Sequence, residues 1–155
     1  MGGDDTAEAT AQEAREVAGQ HELPLLEDIG QVVDLQRKVG QLYVRYSKGP
    51  DADVPEESVD KESGCRLPGL SANPITPEPW WDRPSEQWVA RQLCQYDHLS
   101  RRRGTVGWLL TGKMVGRGPD CEPLLSDVAA LAVISPKCQD QAKDVYEKAF
   151  EPGRR

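Results

Sequence analysis

The fold of this chain depends on the stretch from Leu67 to Trp88, which reads LPGLSANPITPEPWWDRPSEQW. It holds five of the twelve prolines and three of the four tryptophans in the sequence. The prolines exclude a helix before Pro84, and they exclude a central strand everywhere except over Leu70–Ala72. Each proline also favours an extended conformation for the residue before it. The stretch therefore predicts an extended strap laid across the domain.

Two tryptophans of this strap, Trp80 and Trp81, are neighbours in the sequence. In an extended chain, adjacent side chains point in opposite directions. We therefore expect one ring to enter the core and the other to line a groove or lie on the surface. Together with Trp88 and the nearby prolines, they indicate a groove for a small molecule or a peptide. The alternative is that these rings simply complete a small core.

The segment before the strap predicts a helix followed by a strand. Apolar residues recur at helical spacing from Leu25 to Val39, with Asp28 near the start and Gly40 after the end. The run QLYVRYS, residues 41–47, is rich in β-branched and aromatic residues and predicts a strand. Strand alternation puts one set of side chains on each face: Leu42, Val44 and Tyr46 on the first, and Tyr43, Arg45 and Ser47 on the second.

The segment after the strap predicts two helices separated by strands. The first helix covers Ser85–Leu99 and ends at the basic triplet Arg101–Arg103. The strands are a β-hairpin that turns at Gly112–Lys113 and a buried strand at Val128–Ile134, with an irregular Gly/Pro loop, Gly116–Pro123, between them. The last helix is predicted over Lys137–Phe150, with Ser135 as its N-terminal cap and Pro136 as the residue that opens it.

The remaining segments are polar. Residues 1–20 predict a solvated helix or a frayed tail, residues 50–64 an acidic solvated loop, and residues 151–155 a tail. One α+β domain then spans residues 21–150. We expect a small mixed, mostly antiparallel sheet of four or five strands, with three helices and the Pro/Trp-rich strap.

Composition limits the classes of function. The net charge of −7 argues against a nucleic-acid partner. The apolar runs are too short to cross a bilayer, and the N-terminus has no secretory signal, so we expect a cytoplasmic protein without a membrane partner. The four cysteines lack metal-type spacing and only His21 and His98 could assist them, so no metal site is predicted. The tryptophans of the strap leave a homodimer open.

Two sets of residues could carry chemistry. The sequence repeats a basic-Gly-Pro-Asp turn at Lys48–Asp51 and at Arg117–Asp120. These are either two structural turns or two loops at one rim that offer cations and N–H groups to an anion. The second set is Arg45, Ser71 and Glu122. If these side chains met in one cleft, the arginine would bind a pyrophosphate and the serine would orient the arginine or the glutamate. The glutamate would stabilise a developing sugar cation or orient a nucleophile.

Two resemblances follow from these residues. The segments LYVRYS, GLSA and CEP distantly resemble the Arg-Ser-Glu class of ADP-ribosyltransferases, although that family's Ser-Thr-Ser is here Leu70-Ser71-Ala72 and its second catalytic residue is here Asp120. The segments LYVRYSKGPDAD, LPGLSANPITPEPWW, QWVARQL and VGRGPDCEPL together resemble a family of small bacterial proteins of unknown function over residues 41–134. That second resemblance implies no activity.

The sequence therefore supports two main functional hypotheses. The first is a small nucleotide- or NAD-handling transferase or hydrolase, with Glu122, Arg45 and Ser71 as its catalytic residues, NAD as a candidate substrate and no required cofactor. The second is a non-catalytic domain that binds a ligand or a protein in a Trp/Pro-lined groove. An accessory enzyme of a biosynthetic pathway is a third alternative. We expect ligand contacts from six residues: Tyr43, Lys48, Asn73, Trp80, Trp81 and Arg117.

Overall fold

Helices and strands are interspersed along the chain in an α+β order. The computed structural model describes residues 2–53, 58–59, 66–67 and 69–151. Within these residues the helices are α1 Gly2–Gln20, α2 Ile29–Val39, α3 Ser85–Gln95, α4 Asp97–Ser100 and α5 Pro136–Phe150. The strands are β1 Leu25–Leu26, β2 Tyr43–Ser47, β3 Ser58–Val59, β4 Arg66–Leu67, β5 Leu70–Ser71, β6 Asn73–Pro74, β7 Val106–Arg117 and β8 Pro123–Ile134.

The main sheet is mixed and mostly antiparallel, as the sequence predicts. Its strand order is β1-β8-β7-β2-β6, and only β1 runs parallel to its neighbour, β8. β5 pairs with β8, while β6, one residue further along the chain, pairs with β2. The stretch from Leu70 to Pro74 thus connects β2 back to β8, and the sheet curls on itself. The α+β class is confirmed, with six strands in this sheet and five helices among the described residues.

The two faces of the sheet bury different apolar clusters. The alternation predicted for β2 is confirmed, because Leu42 and Val44 lie in one cluster and Tyr43 lies in the other. The first cluster includes buried residues of α2, α3 and α5. The second includes Trp108 of β7 and two alanines of α1. Arg45 and Ser47 lie on the second face, the side of Trp108 and α1.

Helix starts follow their predicted caps. The side chain of Asp28 accepts a hydrogen bond from the Gly30 amide, and Gln31 completes a capping box at the start of α2. Ser135 accepts from the Cys138 amide at the start of α5. The predicted helical pattern is wrong at Leu25–Leu26, because these residues form β1 against β8 before the capping box begins the helix.

Residues 2–20 form a helix that is in part buried, rather than wholly solvated or frayed. Ala14 and Ala18 are buried in the second cluster, and Val17 packs against it. Alanine is small enough for a helix to approach the sheet closely, so a face with few large apolar groups can still be buried. Of the predicted tail at 151–155, only Glu151 is among the described residues.

The central hairpin does not turn where the sequence predicts. Val106–Arg117 is one continuous strand, and its turn lies at residues 118–122, before β8 begins at Pro123. Gly112 lies inside β7 and faces β8 so closely that an added Cβ would stand 3.1 Å from the Leu125 Cβ. Glycine in a strand often marks such a close approach instead of a turn. Cys121, with a φ of +63°, lies in the true turn.

The strap is only partly extended. Its predicted strand is confirmed at Leu70–Ser71, and a second short strand, β6, includes Pro74, where the prolines exclude only a central strand. β6 lies at the edge of the strand order, where a residue without an N–H is tolerated. The chain then turns at Pro79–Trp80. The predicted helix over Ser85–Leu99 is divided at Tyr96 into α3 and α4.

None of the helices in the described ranges is long and apolar enough to cross a membrane. The predicted acidic loop begins with a 3-10 turn at Pro50–Asp53. Its residues 54–57 and 60–64 lie outside the described residues.

Candidate functional site

Arg45 and Asp53 form an ion pair beside the second face of the sheet. The Arg45 Nε donates to Asp53 Oδ2 at 2.9 Å, and Nη2 donates to Oδ1 at 3.1 Å. The two side chains are 19% and 9% exposed, respectively. Such a two-point contact between a guanidinium and a carboxylate is a strong charge-assisted interaction. The sequence does not predict this partner, because Asp53 lies in a segment whose composition indicates a solvated loop.

The structure also brings Arg45 and Ser71 together. The Arg45 Nη1 donates to the Ser71 carbonyl at 2.7 Å and to its Oγ at 3.1 Å. All three guanidinium nitrogens therefore have an acceptor within the protein. These contacts use four of its five N–H donors, so Asp53 and Ser71 already accept most of what Arg45 could offer to an anionic ligand.

Ser47 extends this network into the core. Its Oγ donates to Asp53 Oδ2 at 2.6 Å and accepts from the Trp108 Nε1 at 3.0 Å and from the Gly49 amide at 3.1 Å. The polar groups of β2, β7 and the 3-10 turn therefore hold one another in place. A network of side chains bonded to one another in this way serves to stabilise the fold.

Glu122 lies in the turn between β7 and β8. Its Oε2 accepts from the Asp120 amide at 2.9 Å, and its carbonyl accepts from the Gly118 amide at 2.8 Å. The third predicted catalytic residue thus makes its hydrogen bonds within its own turn. Burial raises the pKa of Tyr96, and the nearby negative charges of Glu122 and Asp120 raise it further.

The two basic-Gly-Pro-Asp turns lie at opposite ends of β7. Ser47, just before the first turn, pairs with Val106, where β7 begins. Arg117, which starts the second turn, is the last residue of β7, and its Nη1 donates to the Cys121 carbonyl at 2.7 Å. Because the strand separates them, the turns do not share one rim, and the hypothesis of a joint anion site is wrong.

The remaining predicted contacts fall at different places. Lys48, the first residue of the first turn, is exposed. Tyr43 is buried and pairs with Leu110 in the sheet, and half-buried Asn73 pairs with Val44. Neither sheet residue belongs to the tryptophan group of the strap.

The three tryptophans of the strap contact one another and define what we call the aromatic cluster: Trp80, Trp81 and Trp88. Their ring centroids lie 6.2 Å apart for Trp80–Trp81, 5.6 Å for Trp80–Trp88 and 5.1 Å for Trp81–Trp88, all in edge-to-face arrangements. Trp80 is 68% exposed, Trp81 is half-buried, and Trp88 is 6% exposed. The turn at Pro79–Trp80 keeps both adjacent rings together, so the prediction that one of them enters the core is wrong.

Two arginines lie over this cluster. The Arg83 guanidinium carbon is 5.7 Å from the Trp81 ring centroid and 4.8 Å from that of Phe150. The Arg91 guanidinium carbon is 5.7 Å from the Trp88 centroid. These distances are typical of cation–π contacts. The faces of Trp81 and Trp88 thus already interact with protein cations, whereas Trp80 remains the most exposed ring.

Two side-chain polar atoms on consecutive residues of α3 are buried without a hydrogen-bond partner among the described residues. They are the Trp88 Nε1, a donor, and the Gln87 Oε1, an acceptor. Buried polar groups are nearly always paired, and an unpaired one costs about 1–3 kcal/mol. Sequence alone gives no signal for such atoms, because their pairing depends on every neighbour in the fold.

No group of three or more His, Cys, Asp or Glu side chains suited to a metal ion occurs in the described part of the chain. Cys94, Cys121 and Cys138 are free thiols, and Cys65 lies outside that part. Burial raises the pKa of the Cys94 and Cys138 thiols to about 12. These two groups are therefore poor nucleophiles at neutral pH.

Comparison with known proteins finds a family but no function. No curated protein and no solved structure matches the chain. The model of a family of unknown function does match it, over residues 19–154. This confirms the resemblance to a family of unknown function and extends it beyond residues 41–134. The chain belongs to that family of unknown function, DUF6098.

Proposed function

We propose that this protein is a ligand-binding domain whose site is the aromatic cluster. The observation that carries the proposal is the exposure of Trp80, which is 68% accessible while it contacts two other tryptophans. Tryptophan gives a large contact area at a small cost in conformational entropy, and for this reason it is common at binding sites.

The exposure of Trp80 stands out among the large apolar residues of the described surface. Val39, Met114 and Val115 are exposed as well, but each less than Trp80. Single exposed apolar residues are ordinary on protein surfaces. An exposed ring supported by two further tryptophans, Arg83 and Phe150 forms a larger aromatic surface on which a flat ligand could stack.

Trp80 can be tested first without any ligand. Acrylamide should quench the fluorescence of Trp80 strongly and that of buried Trp108 weakly. The variant Trp80→Phe should therefore lose most of the quenchable emission, whereas Trp108→Phe should keep it. If acrylamide reaches none of the four tryptophans, the proposed site does not exist.

Ligand binding is tested by a thermal-shift screen of a metabolite library, with each hit repeated on variants. Trp80→Ala should abolish the stabilisation by a true ligand of the site. Met114→Ala removes an exposed apolar side chain elsewhere and should leave the stabilisation intact. Hits that stabilise both variants equally would refute the aromatic cluster as the site.

An NAD-handling transferase or hydrolase is a second candidate, favoured by the contact between Arg45 and Ser71. Asp53 and Ser71 already accept from all three guanidinium nitrogens of Arg45, so the geometry supports a pyrophosphate site there less than it supports the aromatic site. NAD should then raise the melting temperature, and Glu122→Gln should abolish turnover with the fold intact. An unchanged melting temperature with NAD and ADP-ribose would exclude it.

We also propose a cytoplasmic location, with a homodimer as one state of the protein. The exposed Trp80 supports self-association through the aromatic cluster. Sedimentation velocity over a range of concentrations, repeated on Trp80→Ala, tests this. A monomer at all concentrations would exclude the dimer.

A further inference from the structure

We infer that residues 111–117 of β7, which we call the open edge, bind an extended acidic segment of a partner protein as an added strand. β2 pairs with β7 only from Val106 to Leu110. β8 continues beyond that point and stays paired with β7 as far as Arg117. Within the described part of the chain, the open edge therefore has a neighbouring strand on one side only.

The backbone of the open edge is available for pairing. Among the described residues, its backbone-to-backbone hydrogen bonds are those of the ladder with β8. The far side of β8 is occupied at the same level, because β5 pairs there with Leu124 and Leu125. An unpaired strand edge offers N–H and C=O groups to another extended chain, and many proteins bind peptides in this way. The open edge is thus where this end of the sheet can accept a further strand.

The side chains of the open edge also lack cover. Met114 is 49% exposed and Val115 is 45% exposed, and Lys113 and Arg117 are exposed as well. Lys113 and Met114 are neighbours in a strand and point to opposite faces, so neither face of β7 is covered at this level. An added strand would therefore find apolar side chains to pack against beside the free backbone groups.

The charges of β7 select an acidic partner. Its charged residues are Lys113 and Arg117, and both are basic. Arg117 donates to the Cys121 carbonyl, which is a neutral acceptor, and neither cation forms an ion pair with another described residue. The acids of this hairpin lie in its turn and on β8 instead. Carboxylates on an added strand would face the two cations, and opposite charges across strands stabilise their pairing.

A second copy of this chain fits the open edge poorly. A twofold axis would pair the edge with its own copy and bring Lys113 and Arg117 of one protomer close to the same cations of the other. Like charges that face each other across strands destabilise the pairing, and lysine on an edge strand is a common protection against self-association. The edge therefore favours a different, acidic chain.

The first experiment titrates fluorescein-labelled peptides with the full-length protein and follows their fluorescence anisotropy. One peptide alternates glutamate with valine, and its control of equal length carries lysine in place of glutamate. We expect the glutamate peptide to bind at least about tenfold more tightly. The net charge of −7 would favour the lysine peptide, so overall attraction cannot produce this order. Equal binding of the two peptides, or no binding of the glutamate peptide, would overturn the inference.

Two further measurements test the added strand itself. The glutamate peptide with all its backbone nitrogens methylated has no N–H donors and should not bind. In the protein, the unmodified peptide should slow hydrogen exchange of those amides in residues 111–117 that do not bond to β8. Exchange over Val106–Leu110, which already lies between β2 and β8, should not change. Binding of the methylated peptide with undiminished affinity would contradict pairing through the backbone.

A charge reversal tests the role of Lys113. Lys113→Glu should weaken binding of the glutamate peptide about tenfold, because a cation facing a carboxylate becomes an anion. Lys137→Glu is the matched control: it changes the net charge equally, at an exposed position in the first turn of α5. That position follows the end of β8 that pairs with Gly107, away from the open edge. Equal weakening by the two substitutions would reduce the effect to overall charge and overturn the inference.

The same measurements detect a second copy at this edge. Sedimentation velocity and hydrogen exchange of the protein without peptide should show residues 111–117 unprotected on their free side at all concentrations. If the protein dimerises and these amides become protected in the dimer, the edge is an interface between copies and the inference is overturned. These outcomes are independent of the aromatic cluster, which is tested by Trp80→Ala.

Discussion

Asp53 provides the negative charge that allows Arg45 to lie half-buried against the sheet. Removing one partner of such a pair leaves an uncompensated charge, which in buried cases costs about 3–5 kcal/mol. Because Arg45 keeps partial exposure, we expect Asp53→Ala to lower the free energy of unfolding by about 2–3 kcal/mol. Urea denaturation followed by tryptophan fluorescence measures this loss.

Asp51 is the matched control for that experiment. It lies in the same 3-10 turn, but its side chain is 83% exposed and its ion-pair contact within the described residues is with His21 at 3.6 Å. Asp51→Ala should leave the urea midpoint unchanged. Equal effects of the two substitutions would mean that the Arg45–Asp53 pair adds no stability.

Thiol reactivity gives a second prediction for single residues. With a pKa of about 12, Cys94 and Cys138 carry only about one thiolate in ten thousand at pH 8. Cys121 is exposed in the hairpin turn. We expect iodoacetamide at pH 8 to label Cys121 rapidly in the native protein, and to label the other two only after unfolding. Mass spectrometry of the peptides after timed labelling tests this, and equal labelling rates for the three would refute it.

Chemistry at single residues could be predicted from the sequence only in part. A charged Arg45 in a strand of mainly apolar and aromatic residues predicts a polar or acidic partner for its guanidinium, and Ser71 could be named as a neighbour on that basis. Asp53 was not, because it lies among acids that read as one solvated loop. The unpaired atoms of Gln87 and Trp88 were beyond prediction, since both residues simply fit the helical pattern of α3.

The register of β7 against β8 in the central hairpin can be tested by substituting two glycines of β7. A methyl group on Gly112 would approach the Leu125 Cβ to 3.1 Å and the Ser126 carbonyl oxygen to 3.2 Å. The backbone oxygen cannot move aside easily, so Gly112→Ala should destabilise the protein by about 1–2 kcal/mol. At Gly116 the nearest such contact is the Leu124 Cδ1 at 3.9 Å, so Gly116→Ala should be nearly neutral.

Thermal and urea unfolding of both variants would measure this difference. If the chain turned at Gly112–Lys113, as its sequence suggests, an alanine at position 112 would not meet Leu125 and Ser126. Destabilisation by Gly116→Ala alone would therefore contradict the observed register of β7 and β8.

Elements with local signals were predicted well, and those with distant partners were not. The caps at Asp28 and Ser135 act within one helical turn, so the sequence shows the start of α5 and a cap for α2, although it also assigns Leu25–Leu26 to the helix. The long hairpin depends on which residues face each other across strands. Gly112 permits close packing of β7 against β8, and from the sequence alone a glycine in this role looks the same as one in a turn.

At the scale of the whole molecule, the curled sheet depends on short and distant pairings. Leu70 pairs with Leu125 and Asn73 with Val44, so the strap closes the sheet through strands of only two residues. Such strands have no periodicity of their own, and their partners lie up to about 55 positions away in the chain. The sequence therefore predicts an extended strap, but not that the strap completes the sheet.

The burial of helix α1 against the sheet places the start of the folded domain before residue 21. The sequence predicts a domain from residue 21, yet Ala14 and Ala18 are buried with Trp108 and Tyr43 on the second face of the sheet. A lysine at position 14 would place an unpaired charge against this cluster. We expect Ala14→Lys to lower the free energy of unfolding by about 3 kcal/mol.

The control for this prediction is Gln20→Lys, at an exposed position in the last turn of the same helix, where a cation suits the helix dipole. It should leave the urea midpoint unchanged or raise it slightly. With Ala14→Lys, the whole unfolding transition should move to lower urea as one step, because α1 covers the face that holds Trp108. A midpoint equal to that of Gln20→Lys would mean that α1 unfolds separately and that the cooperative domain begins after residue 20.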